Sequence, residues 1–386
     1  MDNMWLTASI WMGLALIAGL ISIRLGLTVA LMEIIIGVIG GNFLGLHSTP
    51  WTDVIGNFGI VLLSFLAGAE IDPGSLKRNL KATLTIGISS FLAPFAGTFL
   101  FAHYIANWEF QASIIAGLAM STTSVAIVYT TILENGLIST DQGKIILGAT
   151  LVTDVITMLA LGLFTINIGI WLAIFAGIFI VMFFALPRIM PWLGETLSGR
   201  FGHPYIKIFM VIVFVLCWLF TQAGGQAVLP AFLVGMVMAG TLAKLKVEID
   251  RIQIITFTVL IPFYFLKAGA LLSLSDMITG FAWVLIFLTL KMALKFAGIL
   301  PSTRVFKWPL KGGINASLLM STGLTFGTIS ALYGLTSNMI NQSQYTILLS
   351  AVIGSALLPA LITQLIYPKH TTGNNGKTDS LPNNPR

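Results

Sequence analysis

The chain has 386 residues, of which 56% are hydrophobic and 9% charged, with a formal net charge of +6. A soluble domain carries about 25% charged residues, so this chain could not cover a soluble surface. A large soluble domain and a nucleic-acid reader are thereby excluded, and the single cysteine, Cys217, excludes a disulfide-built secreted module.

The mean hydropathy of +0.95 points to an all-α integral membrane protein. Met1–Trp5 lack the basic segment of a secretory signal, so the first apolar run reads as a resident span. In chain order, thirteen apolar segments are expected at 4–22, 27–46, 52–71, 80–105, 110–133, 144–165, 167–187, 205–224, 227–243, 252–272, 277–299, 312–335 and 343–366. They are continuous runs near the length of a transmembrane helix, about 20 residues, rather than the ten-residue alternations of a barrel. Residues 367–386 are polar and read as a disordered tail.

The basic residues test this division. Arg24, Lys77, Arg78, Lys81, Lys144, Arg188, Arg200, Lys207, Lys244, Lys246, Arg251, Arg304, Lys307 and Lys311, with Lys295 close by, fall on alternate junctions, and Lys369, Lys377 and Arg386 in the tail. The intervening loops, 47–51, 106–109, 166, 225–226, 273–276 and 336–342, have no Lys or Arg. The excess of Lys and Arg on cytoplasmic loops then puts the N-terminus outside and the C-terminus inside the cytoplasmic membrane.

Three acidic residues leave the loops and span ends: Glu33, Glu70 and Asp154. Asp154 is the deepest. It stands ten residues beyond Lys144, about 15 Å along a helix and half of a roughly 30 Å hydrocarbon core. A charge there costs about 2.5–3.5 kcal/mol on the mildest scale; Asn or Ser would serve a merely structural bond at lower cost. Asp154 therefore reads as a carboxylate binding a cation or a proton in turn. Glu33 and Glu70 lie toward the inner ends of spans 2 and 3, where they would line a negative funnel or pair with Arg24, Lys77 or Arg78.

Two polar stretches interrupt apolar spans at the same depth. Span 5 carries Ser121, Thr122, Thr123 and Ser124; span 12 carries Ser321, Thr322, Gly323 and Thr325. They are seven spans apart, and an odd displacement reverses orientation. Spans 1–6 and 8–13 would thus be two inverted six-helix repeats whose broken helices meet at mid-membrane. Non-helical backbone is tolerable there only when buried or lining a cavity. Lys291 lies deep in span 11 as a charge partner or titrating group, and Lys267 lies near the outer end of span 10, where it can reach the interface. Gly37, Gly40, Gly41 and Gly45 read as close helix packing.

A channel would want a carbonyl filter or acidic rings, and neither motif occurs. An intramembrane aspartyl protease needs two deep carboxylates. A serine type wants a histidine, but His47, His103, His203 and His370 are at ends or in loops, and no metal-ligand cluster is present. Two readings stay open: a secondary antiporter, and a cation-coupled symporter of a small organic solute.

Gly143-Lys144-Ile145-Ile146-Leu147-Gly148-Ala149 with Thr153-Asp154-Val155 resembles the hallmark helix of the bacterial monovalent cation–proton antiporters, the NapA-like and KefC-like group. Glu33-Ile34-Ile35-Ile36-Gly37, Asn57–Leu63 with Gly68–Asp72, and Thr123-Ser124-Val125 with Leu133–Gly136 are similar to further blocks of that family. The resemblance implies a non-enzymatic thirteen-helix homodimer in lipid, with no cofactor, exchanging H+ for Na+ or K+. It implies a transmembrane domain over 1–366. Within it a core (80–166 and 277–366) moves against a dimerisation scaffold (4–72 and 205–272), with 167–187 as linker span. It puts Asp154 at the Na+ or K+ site, with Thr153, Thr123 and Ser124 beside it, and Lys291 at the family's membrane lysine. The chain departs from the family at Thr153, where an acid or amide is usual.

Overall fold

The structure, a computed structural model, describes residues 4–69, 79–134, 137, 140–166, 169–197, 204–242 and 246–366. Glu70 and the polar tail lie outside the described residues. No strand occurs among the described residues. The first part of the chain forms α1 (Met4–Leu25), α2 (Val29–Phe43), α3 (Pro50–Ala69), α4 (Leu80–Leu100), α5 (Phe110–Ser121), α6 (Val125–Glu134) and α7 (Asp141–Thr165). Then come α8 (Ile170–Leu197), α9 (Pro204–Gln222), α10 (Val228–Leu242), α11 (Lys246–Ile255), α12 (Ile261–Ala270) and α13 (Leu274–Thr279). The last are α14 (Phe281–Val305), α15 (Leu310–Ser321), α16 (Thr325–Thr336) and α17 (Gln342–Ile366). Single π-helical turns, Phe101–Ile105 and Thr256–Leu260, extend α4 and precede α12.

Eight helices among the described residues are long and apolar enough to cross a membrane, and four further apolar helices are shorter. The long ones leave large side chains uncovered: Leu16, Leu20 and Ile23 on α1, and Ile180, Val181 and Phe184 on α8, are exposed. Helices apolar on all sides belong in lipid. Local signals set the ends: the Thr140 hydroxyl accepts from Gly143 N at 3.0 Å to open α7, and Ser273 accepts from Asp276 N at 3.2 Å to open α13.

The helices pack in two groups. In the first, α2 and α3 pack on α12, α3 on α10, α1 on α2, and α9 on α8 and α10. Backbones approach closely through glycine. A Cβ on Gly68 would stand 2.9 Å from Met236 N, and one on Gly235 2.9 Å from Ala69 N. Gly37 and Gly41 likewise abut the α12 backbone, and Gly40 abuts the Leu46 side chain. Gly45 departs from the packing expectation: its φ is +63° with nothing within 4 Å, so it is a turn residue needing the left-handed conformation.

In the second group, α4 packs on α5, α7 and α14; α14 on α15 and α17; and α16 on α5 and α17. The expected spans 110–133 and 312–335 are each divided, into α5 with α6 and α15 with α16, with non-helical backbone at 122–124 and 322–324. The groups meet where α7 contacts α10 and where α13, between α12 and α14, contacts α17.

Candidate functional site

The two interruptions lie against each other. Thr122 (φ −68°, ψ 154°) and Thr322 (φ −65°, ψ 136°) leave the helix at equivalent points. Ser124 N donates to Thr322 O at 2.9 Å, and the Thr123 hydroxyl donates to Met320 O at 3.1 Å. Ser355 on α17 donates to Gly323 O at 3.2 Å. These bonds take up backbone groups that a broken helix would otherwise leave orphaned in the membrane. Ser121, Thr122, Ser321 and Thr322 are fully buried, and their hydroxyls donate to carbonyls of their own helices, Leu118, Ala119, Ser317 and Leu319. For these four the side chain serves its own helix. Thr123 and Ser124 are buried, and Thr325 is half-buried at the start of α16.

Gly323 makes the contact possible. A Cβ there would stand 2.7 Å from Thr122 Oγ1 and 2.8 Å from Thr122 O, and would run into Lys291 Nζ. Gly323→Ala is expected to part the two interruptions. Overpacking of this kind costs about 1–3 kcal/mol, and a displacement near 1 Å at a site costs about 100-fold in rate. Thermal unfolding in detergent and cation-driven proton flux should both fall.

The placement of Lys295 needs a correction. Lys295, grouped from the sequence with the loop cations, is fully buried in α14. Its ammonium donates to Ser121 O at 2.7 Å, Ser90 Oγ at 2.9 Å and Thr123 Oγ1 at 2.9 Å. All three of its N–H donors are engaged, and a positive charge sits at the carbonyl end of α5. The reason is length: α14 runs on to Val305, six residues beyond the expected end. The depth argument used for Asp154, counted back from Arg304, would have found it. Lys291, one turn earlier, is also fully buried, and its ammonium has no hydrogen-bond partner among the described residues.

Asp154 lies on α7 and is 3% exposed. It and Lys291 are both within electrostatic reach of Lys295. Thr150, Thr153 and Thr157 accompany it as fully buried polar groups on α7. The Thr153 hydroxyl donates to Ala149 O at 2.9 Å and Gly87 O at 3.2 Å, tying α7 to α4. Glu33 is 2% exposed in α2, among packed helices rather than on an open funnel wall. Lys267 pairs with Asp53 at 2.7 Å, away from the interruptions. No group of three or more His, Cys, Asp or Glu side chains suited to a metal occurs among the described residues.

Paired interrupted helices, a buried carboxylate and a buried ammonium at a carbonyl end define a polytopic membrane protein with a charged site inside its helix bundle. Residues 12–367 match the family described as sodium/hydrogen exchanger, transmembrane. The chain belongs to that family, which consists of cation–proton antiporters, transporters rather than enzymes.

Among curated proteins it is 27% identical over 340 residues to the probable Na+/H+ antiporter GerT of Bacillus cereus, covering 86% of this chain and 90% of that protein. It is 26% identical over 356 residues to the Na+/H+-K+ antiporter GerN of the same organism, covering 89% and 90%. It is also 26% identical over 372 residues to the Na+/H+ antiporter of Enterococcus hirae, covering 90% and 94%. The fold is similar to that of the sodium proton antiporter MjNhaP1 of Methanocaldococcus jannaschii, with a TM-score of 0.70 at 14% identity over 93% of this chain and 95% of that one. None of these relatives is named as a solute symporter, so the symport alternative has no support.

Proposed function

We propose that the protein exchanges H+ for Na+ or K+ across the cytoplasmic membrane by alternating access, with Asp154 binding cation and proton competitively. The observation that carries this reading is the burial of Asp154 on α7, which packs against both interrupted helices, while the carbonyl end of α5 is already met by Lys295. The carboxylate is the group proposed to take either a cation or a proton. Thr123 and Ser124, in the first interruption, are the oxygen ligands proposed to complete the site. In this reading the chain has thirteen spans in two inverted repeats, N-terminus outside. The second helix group is the moving core and the first the scaffold of a homodimer. The test is proton flux in proteoliposomes with Na+, K+ and Li+ added in turn. Flux driven by at least one of these cations is expected; none with any of them refutes exchange.

The cycle is proposed to be electroneutral. Thr153 cannot titrate, and Lys295 is held by three acceptors, so one H+ and one cation each neutralise Asp154. On a supported membrane with both bulk pH values fixed, a cation gradient should give no steady current. A current that reverses with the gradient refutes the one-for-one cycle; its loss in Lys291→Gln would then identify Lys291 as the second proton carrier.

A further inference from the structure

Among the described residues, the two helix groups are joined unequally at their two ends. At the end bearing Lys81, Lys144, Arg304, Lys307 and Lys311, the buried apolar residues of the second group form a cluster of their own. That cluster includes Ala82, Ile132, Ile146, Ile299, Trp308 and Leu319, and among the described residues no member of the first group belongs to it. Elsewhere one continuous core spans both groups. Gly162, near the end of α7, abuts the Leu229 side chain at the start of α10, and Phe232 meets Phe326 edge-on at 6.4 Å.

A strip of polar contacts closes the opposite, Lys- and Arg-poor end. Tyr345 on α17 is fully buried, and its hydroxyl donates to Ala268 O, in the last turn of α12, at 2.7 Å. Gln342 Nε2 donates to Leu271 O. Ser273 N donates to Thr346 Oγ1 at 3.3 Å. From the other side, Asn42 on α2 donates to Leu272 O at 2.8 Å and accepts from Leu274 N at 3.1 Å. The turn at 268–274 is thus gripped by α2 of the first group and α17 of the second. The carbonyls it offers include the C-terminal ones of α12, which have no intrahelical donor.

We propose that the Tyr345, Gln342 and Thr346 contacts form a latch that holds the two groups together at the Lys- and Arg-poor end and releases when that end opens. Asn42 keeps the receiving turn fixed to α2 while α17 leaves it. The proposal rests on the alternating-access reading above, because a latch matters only if the groups part. Tyr345 allows a clean test of the role, because its buried ring can be kept while its hydroxyl is removed.

The test uses the full chain in proteoliposomes, with Cys217→Ser as background and Leu229→Cys as reporter. Leu229 is 5% exposed in the closed seam. A membrane-impermeant maleimide applied from the Lys- and Arg-poor side measures how often the seam opens. Tyr345→Phe removes the hydroxyl and keeps the ring. It is expected to raise the labelling rate about 5- to 10-fold, the population change that one lost hydrogen bond produces. Gln342→Ala should act in the same direction, and the pair together should exceed either alone. Unfolding is checked by the melting temperature of each variant in detergent. If Tyr345→Phe proves unstable, Gln342→Ala, at an exposed bond, decides the question alone. Folded variants that label at the parental rate overturn the latch. Wild-type flux in the same vesicles decides the exchange reading separately: absent flux refutes exchange, whereas normal flux with unchanged labelling refutes only the latch.

Discussion

Asp154→Asn is expected to abolish exchange while leaving a folded protein. Asp154 is 3% exposed on α7, and an ionised group at the middle of a membrane span costs about 2.5–3.5 kcal/mol. Asparagine keeps the size and hydrogen-bonding capacity of the side chain, but it neither ionises nor carries a proton in this pH range. The variant should therefore still unfold cooperatively in detergent, as a folded protein does. Its cation-driven proton flux should fall to that of empty vesicles. Wild-type antiport by folded Asp154→Asn protein would remove the central role given to this carboxylate.

Lys295→Met is expected to have the largest effect on stability. The substitution strands Ser121 O, Ser90 Oγ and Thr123 Oγ1, which the ammonium now joins. Hydrogen bonds to a charged group contribute about 1.5–3 kcal/mol each, and breaking one side of a buried charged network costs about 3–5 kcal/mol. A fall of that order should appear in thermal or denaturant unfolding, with loss of exchange. Lys291→Met is the control on the same helix. Its ammonium has no hydrogen-bond partner among the described residues, so removing it should change stability little or raise it. The reverse ranking of the two variants would overturn the assignment of Lys295 to the α5 carbonyl end.

Much of this arrangement could be read from residue order. Long apolar runs announce helices because the membrane leaves backbone groups few other partners. The polar runs at 121–124 and 321–325 marked the interruptions, found at 122–124 and 322–324. Counting residues past Lys144 singled out Asp154, which is 3% exposed in α7.

Other features needed the third dimension. Lys295 was hidden because a cation nine residues before Arg304 resembles an interfacial one unless the helix is known to continue to Val305. Which hydroxyls face across the site and which bond back cannot be read from a Ser/Thr run. Thr123 donates across to Met320 O, whereas its neighbours Ser121 and Thr122 donate to their own helix. The turn at 268–274 carried no sequence signal, because its acceptors are main-chain carbonyls.

The mutual satisfaction of the two interruptions has a consequence for biosynthesis. Thr123 waits for Met320, 197 positions later, and the acceptors of Lys295 in α5 and the following break wait more than 170. At a synthesis rate of about 5–20 residues per second, the first interruption stays incomplete for roughly 10–40 s after it leaves the ribosome. During that interval its free backbone groups need water, the insertion machinery or a temporary helical closure. Neither half of the chain, made alone, could supply the other's missing partners. Two fragments divided between α8 and α9 should accumulate only when produced together, each acting as the folding template of the other.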